Sequence, residues 1–424
     1  MRIKTNVVAL LGARFLFGIV VATVFGLSLL SLVPLSSVLQ AQDPRALNSE
    51  RNERDRILTI DHFVSHISTV PANAGEQVEL FVRERVRRGD EDERDNDGHH
   101  RRRPVVLMVH GSTQSTAVGF DLRFENYSWM AFLAHAGFDV FAMDQQGYGF
   151  SPRPTMDDPC NASKTQQMTL LIPNPLSAPC PASYPFNLTT SQSDWDEIDT
   201  VVDYVRQLRD VDKVSLIGWS LGGPRTGGYA ARHQEKVERL VQYAPVYNRQ
   251  EPSYPQVVVP ETGVPLQVRT IASAFQTWDG QVHCENQFAP AIRDVIRSTI
   301  LGFDPLGSTW GAHGEQYDLW RSPVQNTRWG WNSASAKQVQ TPTLVIRGDL
   351  DMQAPEPDVR ALYADLGTNQ KVFVHVACAA HQLVWENQHM ILLLASTEWL
   401  RDGTFAGHDS GSFAVDADGV VHEE

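Results

Sequence analysis

Ser220 lies in Gly218-Trp219-Ser220-Leu221-Gly222, directly after the apolar run Val214-Ser215-Leu216-Ile217 and before a helix-compatible stretch from Pro224 to Gln234. A strand, a sharp turn and a helix in that order put a serine hydroxyl at the tip of the turn, where it can act as a nucleophile. The glycines two positions to either side serve the same end. The serine must take a strained backbone conformation, and side chains at 218 and 222 would collide with the neighbouring strand and helix. A neutral hydroxyl is a poor nucleophile, so it needs a base to take its proton and a carboxylate to orient that base. The five-residue pattern is short enough to arise by chance, and its companions decide what it means.

Three companions occur. Pro104 to Val109 reads as a buried strand and runs into His110-Gly111-Ser112-Thr113. Thr343-Leu344-Val345-Ile346-Arg347 breaks at Gly348-Asp349-Leu350-Asp351. Lys371 to Val376 is strand-like and is followed by the small-residue loop Ala377-Cys378-Ala379-Ala380 and by His381-Gln382-Leu383-Val384-Trp385-Glu386. Together, from about Ile57 to Asp402, these stretches resemble the α/β-hydrolase family, and the chain order serine, aspartate, histidine is the one that family uses. The resemblance implies that the backbone N–H groups of Ser112 and Leu221 form an oxyanion hole. It also implies that His381 is the base and that Asp351, in the family's Gly-x-x-Asp spacing, is the acid. Asp349 is the rival carboxylate on the same loop. His375, on a strand of alternating apolar residues, reads as a packed histidine rather than a base.

The implied reaction is acyl transfer to water through a covalent acyl-enzyme. Haloalkane dehalogenases and epoxide hydrolases carry aspartate where this chain has Ser220, which argues against those chemistries. Asp144-Gln145-Gln146-Gly147-Tyr148-Gly149-Phe150-Ser151 resembles the family's Asp-x-Arg-Gly-x-Gly-x-Ser turn, with Gln146 where arginine is common. Gly147-x-Gly149 lacks the third glycine and the acidic residue of a dinucleotide fingerprint. No Cys/His spacing suggests zinc, so no cofactor or metal is expected.

Arg2, Lys4 and Arg14 precede an apolar stretch from Phe15 to Leu35, which is followed by a small, polar run to Gln42. Residues 1–41 therefore read as a signal peptide cleaved after Ala41 or as an N-terminal membrane anchor, either of which makes the protein secreted or extracytoplasmic. The net charge of −14 argues against nucleic acid as a partner. Arg101-Arg102-Arg103 is offset by Asp90 to Glu93, so that stretch reads as a mixed-charge hairpin tip. Four cysteines in an exported chain favour two disulfides. Cys160–Cys180 would staple a proline-rich insertion, and Cys284–Cys378 would tie the cap to the histidine loop.

The elements that must position these residues follow from periodicity. Ile57 to Ser68 and Glu76 to Val86 alternate as an antiparallel opening pair. Strands then alternate with helical stretches at Ser128 to Ala136 and Asp194 to Leu208. The expected fold class is α/β: an α/β-hydrolase fold with a mostly parallel central sheet, helices on both faces and an inserted cap. After a linker at 42–56, the core spans 57–248, with a long loop insertion at 152–193, and resumes at 341–403. The cap occupies 249–340, with a helical stretch from Ala289 to Leu301, and an acidic, loosely held tail spans 404–424. Trp278, Trp310, Trp320, Trp329, Trp331, Phe275, Phe288 and Tyr317 fall in the cap, where they suit either a pocket for an apolar or aromatic group or the cap's own core. The expected function is cleavage of a carboxylic ester or related acyl bond in a small molecule. An aminopeptidase of the same fold is the nearest alternative, with Glu285 or Glu315 as holders of a substrate ammonium. A non-catalytic binding protein is the reading from another class.

Overall fold

Continuous apolar runs build the centre of the sheet, because parallel strands covered on both faces have no polar side to display. In the computed structural model β3 (Val105–Val109), β4 (Asp139–Met143), β5 (Val214–Trp219) and β9 (Thr343–Gly348) are buried at every position. The structure describes residues 56–88, 103–253, 261–312, 314, 317–324 and 330–424. The signal or anchor segment, Arg101, Arg102, Glu315 and Trp329 lie outside the described residues.

The opening pair, β1 (Ile57–Ile67) and β2 (Gln77–Arg87), is antiparallel as expected, and β2 joins β4 antiparallel. With β6 (Val237–Tyr243), β10 (Lys371–Val376), β11 (Gly411–Val415) and β12 (Val421–Glu423), the ten-stranded sheet has the order β1-β2-β4-β3-β5-β6-β9-β10-β11-β12. Every pairing from β4 through to β11 is parallel. Helices Ser191–Arg209 and Gly222–Arg232 touch each other, as do Trp129–His135 and His389–Asp402, giving the helical layers that cover the sheet. The helix expected over Ser128 to Ala136 starts at an N-cap, Ser128, whose side chain accepts from the N–H of Ala131.

The segment 404–424 departs from expectation. Instead of a loose tail it contributes the last two strands: β11 extends the parallel sheet from β10, and β12 closes the edge. Phe405, Phe413 and Val415 are buried there, and the glycines and acids around them hid that short alternation.

Between β6 and β9 the expected cap holds an antiparallel pair, β7 (Leu266–Thr270) and β8 (Leu319–Pro323), with helices Ile271–Asp279 and Ile292–Phe303. The 152–193 insertion is not an isolated loop. Its Met156, Leu171 and Leu188 share a small core with Leu266, Val268, Trp310 and Leu319 of the cap, and backbone bridges join Ala162 to Leu266 and Phe186 to Thr262. Cys160–Cys180 closes the insertion on itself, and Cys284–Cys378 links the cap to the loop after β10.

Candidate active site

Ser220 follows β5 at φ +54°, a left-handed conformation that a non-glycine residue adopts at a cost of roughly 1–3 kcal/mol. The turn is held on both sides: Ser220 N–H donates to Tyr243 O at 2.9 Å, and Ser220 O accepts from Gly223 and Val246 at 2.9 and 3.1 Å. The glycine requirement is steric. A Cβ at Gly218 would sit 2.3 Å from Gly222 O, and one at Gly222 would sit 2.3 Å from Val109 O. A Cβ at Gly111 would reach to 3.0 Å from the Ser220 Cβ, which places the His110-Gly111 turn against the candidate nucleophile.

His381 follows β10 and is buried, with Nδ1 lying 2.9 and 3.0 Å from the two carboxylate oxygens of Asp351. That contact puts the ring proton on Nδ1 and leaves Nε2 free to exchange a proton. Asp351 Oδ1 also accepts from the N–H groups of Gln353 and Ala354, each at 2.8 Å, so the carboxylate is fixed before it meets the ring. Asp349 faces elsewhere: its Oδ1 lies 2.6 Å from His375 Nδ1. Ser220 and His381 line the same cavity. Among the described residues no direct hydrogen bond joins the Ser220 hydroxyl to the ring.

Ser112 lines this cavity beside Ser220, and Leu221 stands at the start of the helix Gly222–Arg232. Neither backbone N–H has a hydrogen-bond partner among the described residues.

A set of buried polar groups supports the turns around the serine. Arg225 ion-pairs with Asp194 at 2.9 Å and donates to His110 O. Burial, then the charge of Arg225, pushes the His110 imidazole down to about 3, so it is neutral and serves the turn. Asp144 accepts from the N–H groups of Thr116 and Phe150, shaping the next turn. Gln146, standing where the family's arginine is common, donates from its backbone and side chain to Glu197. Burial, then Asp194, pushes Glu197 up to about 8.

The cavity has a volume of about 60 Å³. Its cap side carries Phe275, Trp278 and Trp320, whereas Trp310 is buried in the cap's own core and Tyr317 is exposed. The aromatics thus divide between the two uses their density allowed. Glu285 is exposed and does not line the cavity. A larger, mostly apolar cavity, about 210 Å³, lies between helix His389–Asp402 and the C-terminal strands, and it contains none of these residues.

Two positioning groups carry no sequence motif. Gln281, in the cap, accepts through Oε1 from Met352 N–H at 2.9 Å and from His381 N–H at 3.5 Å, so one side-chain oxygen spans the Asp351 and His381 loops. Glu386, fully buried, accepts from Ala380 N–H at 2.7 Å and from Trp278 and Gln287 of the cap at 2.7 and 2.9 Å. These bonds and the Cys284–Cys378 bridge bind one edge of the cap to the histidine loop. Glutamines and acids of this kind are common in any loop, and only their spatial neighbours mark them.

The sequence matches the alpha/beta hydrolase fold family over residues 104–388. No curated protein matches it. Among solved structures, the chain is similar to a serine hydrolase from the polyaromatic-hydrocarbon-degrading bacterium Cycloclasticus zankles. That pair is 13% identical, covers 81% of this chain and 99% of the other, and has a TM-score of 0.46. It is also similar to a variant meta-cleavage product hydrolase from Pseudomonas fluorescens, at 16% identity over 80% and 98% of the two chains, with a TM-score of 0.47. A monoacylglycerol lipase from Paleococcus ferrophilus is 19% identical, with 70% and 95% covered and a TM-score of 0.40. Likenesses this distant say nothing about substrate. With the family match spanning residues 104–388 of the 424, the chain belongs to the alpha/beta hydrolase fold family.

Proposed function

We propose that this protein is an exported serine hydrolase that cleaves a carboxylic ester, or a related acyl bond, of a small molecule through an acyl-enzyme. The observation that carries the reading is the buried His381–Asp351 contact at 2.9 Å on the cavity that also holds Ser220 at its positive-φ turn. In this reading His381 Nε2 takes the hydroxyl proton as Ser220 Oγ attacks the carbonyl carbon. Asp351 holds the imidazolium that forms, and the open N–H groups of Ser112 and Leu221 receive the oxyanion, a contribution of several kcal/mol. His381 returns the proton to the leaving group, and water then hydrolyses the ester on Ser220. Two disulfides support an oxidising compartment.

The aminopeptidase alternative needs a carboxylate to hold a substrate ammonium, and among the described residues no aspartate or glutamate lines the cavity. A fluorophosphonate probe tests the reading. The parent labels at Ser220, whereas Ser220→Ala does not and His381→Ala labels far more slowly. Hydrolysis of p-nitrophenyl esters should exceed that of aminoacyl-p-nitroanilides, and the opposite preference sinks the esterase reading. A parent that neither labels nor turns over any ester is the result expected of a binding protein.

A further inference from the structure

Arg269 is the only charged side chain on the described lining of the Ser220 cavity. The strand period puts it there. Leu266 and Val268 of β7 turn into the small cap core, so Arg269, between Val268 and the helix that follows, faces the other way. It sits opposite Trp320 of β8, which lines the same cavity.

Several arginines withdrawn from water elsewhere in this protein are ion-paired, while buried Arg347 donates to the carbonyl oxygen of Asp351. Arg225 meets Asp194, Arg321 meets Asp304 and Asp157, and Arg153 meets Asp304. Arg269 has no hydrogen bond or ion pair with any described residue. Its guanidinium is lowered from its ordinary value by burial, and no described carboxylate raises it. A half-buried cation without a counter-ion is costly to keep. A planar fork of donors matches the paired oxygens of a carboxylate or a phosphate, and a carboxylate is the anion that an ester or thioester substrate most simply carries.

We infer that Arg269 recognises a carboxylate on the substrate, so that the preferred substrates are esters or thioesters carrying a free carboxylate, held with the scissile carbonyl at Ser220. The inference rests on the serine hydrolase reading for the fate of the substrate, but the binding of the anion does not. The lining aromatics Phe275, Trp278 and Trp320 then enclose the apolar chain between the two ends. The absence of carboxylates from the described lining, which speaks against an aminopeptidase, is the same feature that leaves Arg269 free for an anion.

Binding and turnover separate the two ideas. Calorimetry on Ser220→Ala measures affinity for monomethyl adipate and for methyl hexanoate, a neutral ester of similar length. The 4-acetoxybenzoate and 4-methylphenyl acetate pair asks whether the carboxylate belongs on the alcohol side instead. One of the two anionic esters should bind about tenfold or more tightly than its neutral partner, the scale of one charge-assisted hydrogen bond. Arg269→Met in the Ser220→Ala background should erase that ratio, and Arg269→Lys should keep part of it. Equal affinities within both pairs, or a ratio that survives Arg269→Met in a folded protein, overturns the inference. If the ratio is present but the parent with Ser220 turns over none of the four esters, the hydrolase reading fails and the anion site stands.

Discussion

His375 Nδ1 lies 2.6 Å from Asp349 Oδ1, and His375 Nε2 lies 2.6 Å from the Glu424 carboxylate. The pair sits at the carboxyl ends of β9 and β10, where Val376 pairs with Gly348 just before Asp349. Asp349 therefore ties the C-terminal strands down, while Asp351, two residues on, turns to His381.

This division predicts opposite outcomes for two isosteric substitutions. Asp351→Asn should reduce kcat on a small ester by on the order of 10⁴, because the imidazole loses the carboxylate that sets its tautomer. Asp349→Asn should leave kcat near the parent and lower the melting temperature. If Asp349→Asn is the crippled enzyme, the acid has been misassigned.

The same cluster gives a pH dependence. Burial raises the Glu424 carboxyl, but hydrogen bonds from Ser412, Arg360 and His375 outweigh it and hold the group at about 2. The unfolded chain binds that proton near 4.5, so the contribution is complete above that pH and is lost as pH falls toward about 2. The hydrogen bond that His375 donates to Asp349 raises the imidazole, so its contribution is complete below 6.5 and is lost as pH rises through the raised value. Docking of the last strands should be tightest between these limits. Urea melts across pH should show the acid-side slope in the parent and a shallower one in Glu424→Gln.

Gln281 should behave as a positioning residue. Gln281→Leu removes the shared acceptor of Met352 and His381 N–H groups and should lower kcat by about tenfold, the cost of a small misplacement. KM for a small ester should change little, since Gln281 is not on the cavity lining. A rise in KM at constant kcat would assign it to substrate binding instead.

The two disulfides should separate stability from activity. Closing loops of 20 and 94 residues stabilises by about 3 and about 5 kcal/mol respectively in the chain-entropy treatment. Cys160→Ser/Cys180→Ser should lower stability and spare turnover of a small ester. Cys284→Ser/Cys378→Ser should lower both, because Cys378 lies three residues from His381. Equal losses of activity in the two variants would show that the cap anchor does not matter to the base.

Much of this molecule was readable along the chain because the constraints are local. The clash that demands glycine at 218 and 222 involves backbone within a single turn and the adjacent β3 end. The parallel strands announce themselves through unbroken apolar runs, since both faces are covered. The sheet strands at 411–415 and 421–423 were not readable. The first pairs with β10, a partner remote in sequence, the second with the first, and Glu424 reaches His375 and Arg360.

The amino-acid sequence alone determined the serine elbow and the order of the candidate residues, because bond geometry, steric exclusion and hydrophobic period act over a few residues, whereas among three possible cysteine pairings it only favoured the one the fold forms. Only the tertiary structure decided which aspartate meets which histidine, that Gln281 joins their loops, and that Arg269 stands without a partner among the described residues over the same cavity. Those outcomes depend on distances between segments that the folded sheet and cap bring together, and a side chain's charge or hydrogen-bonding capacity does not say in advance where its partner will be.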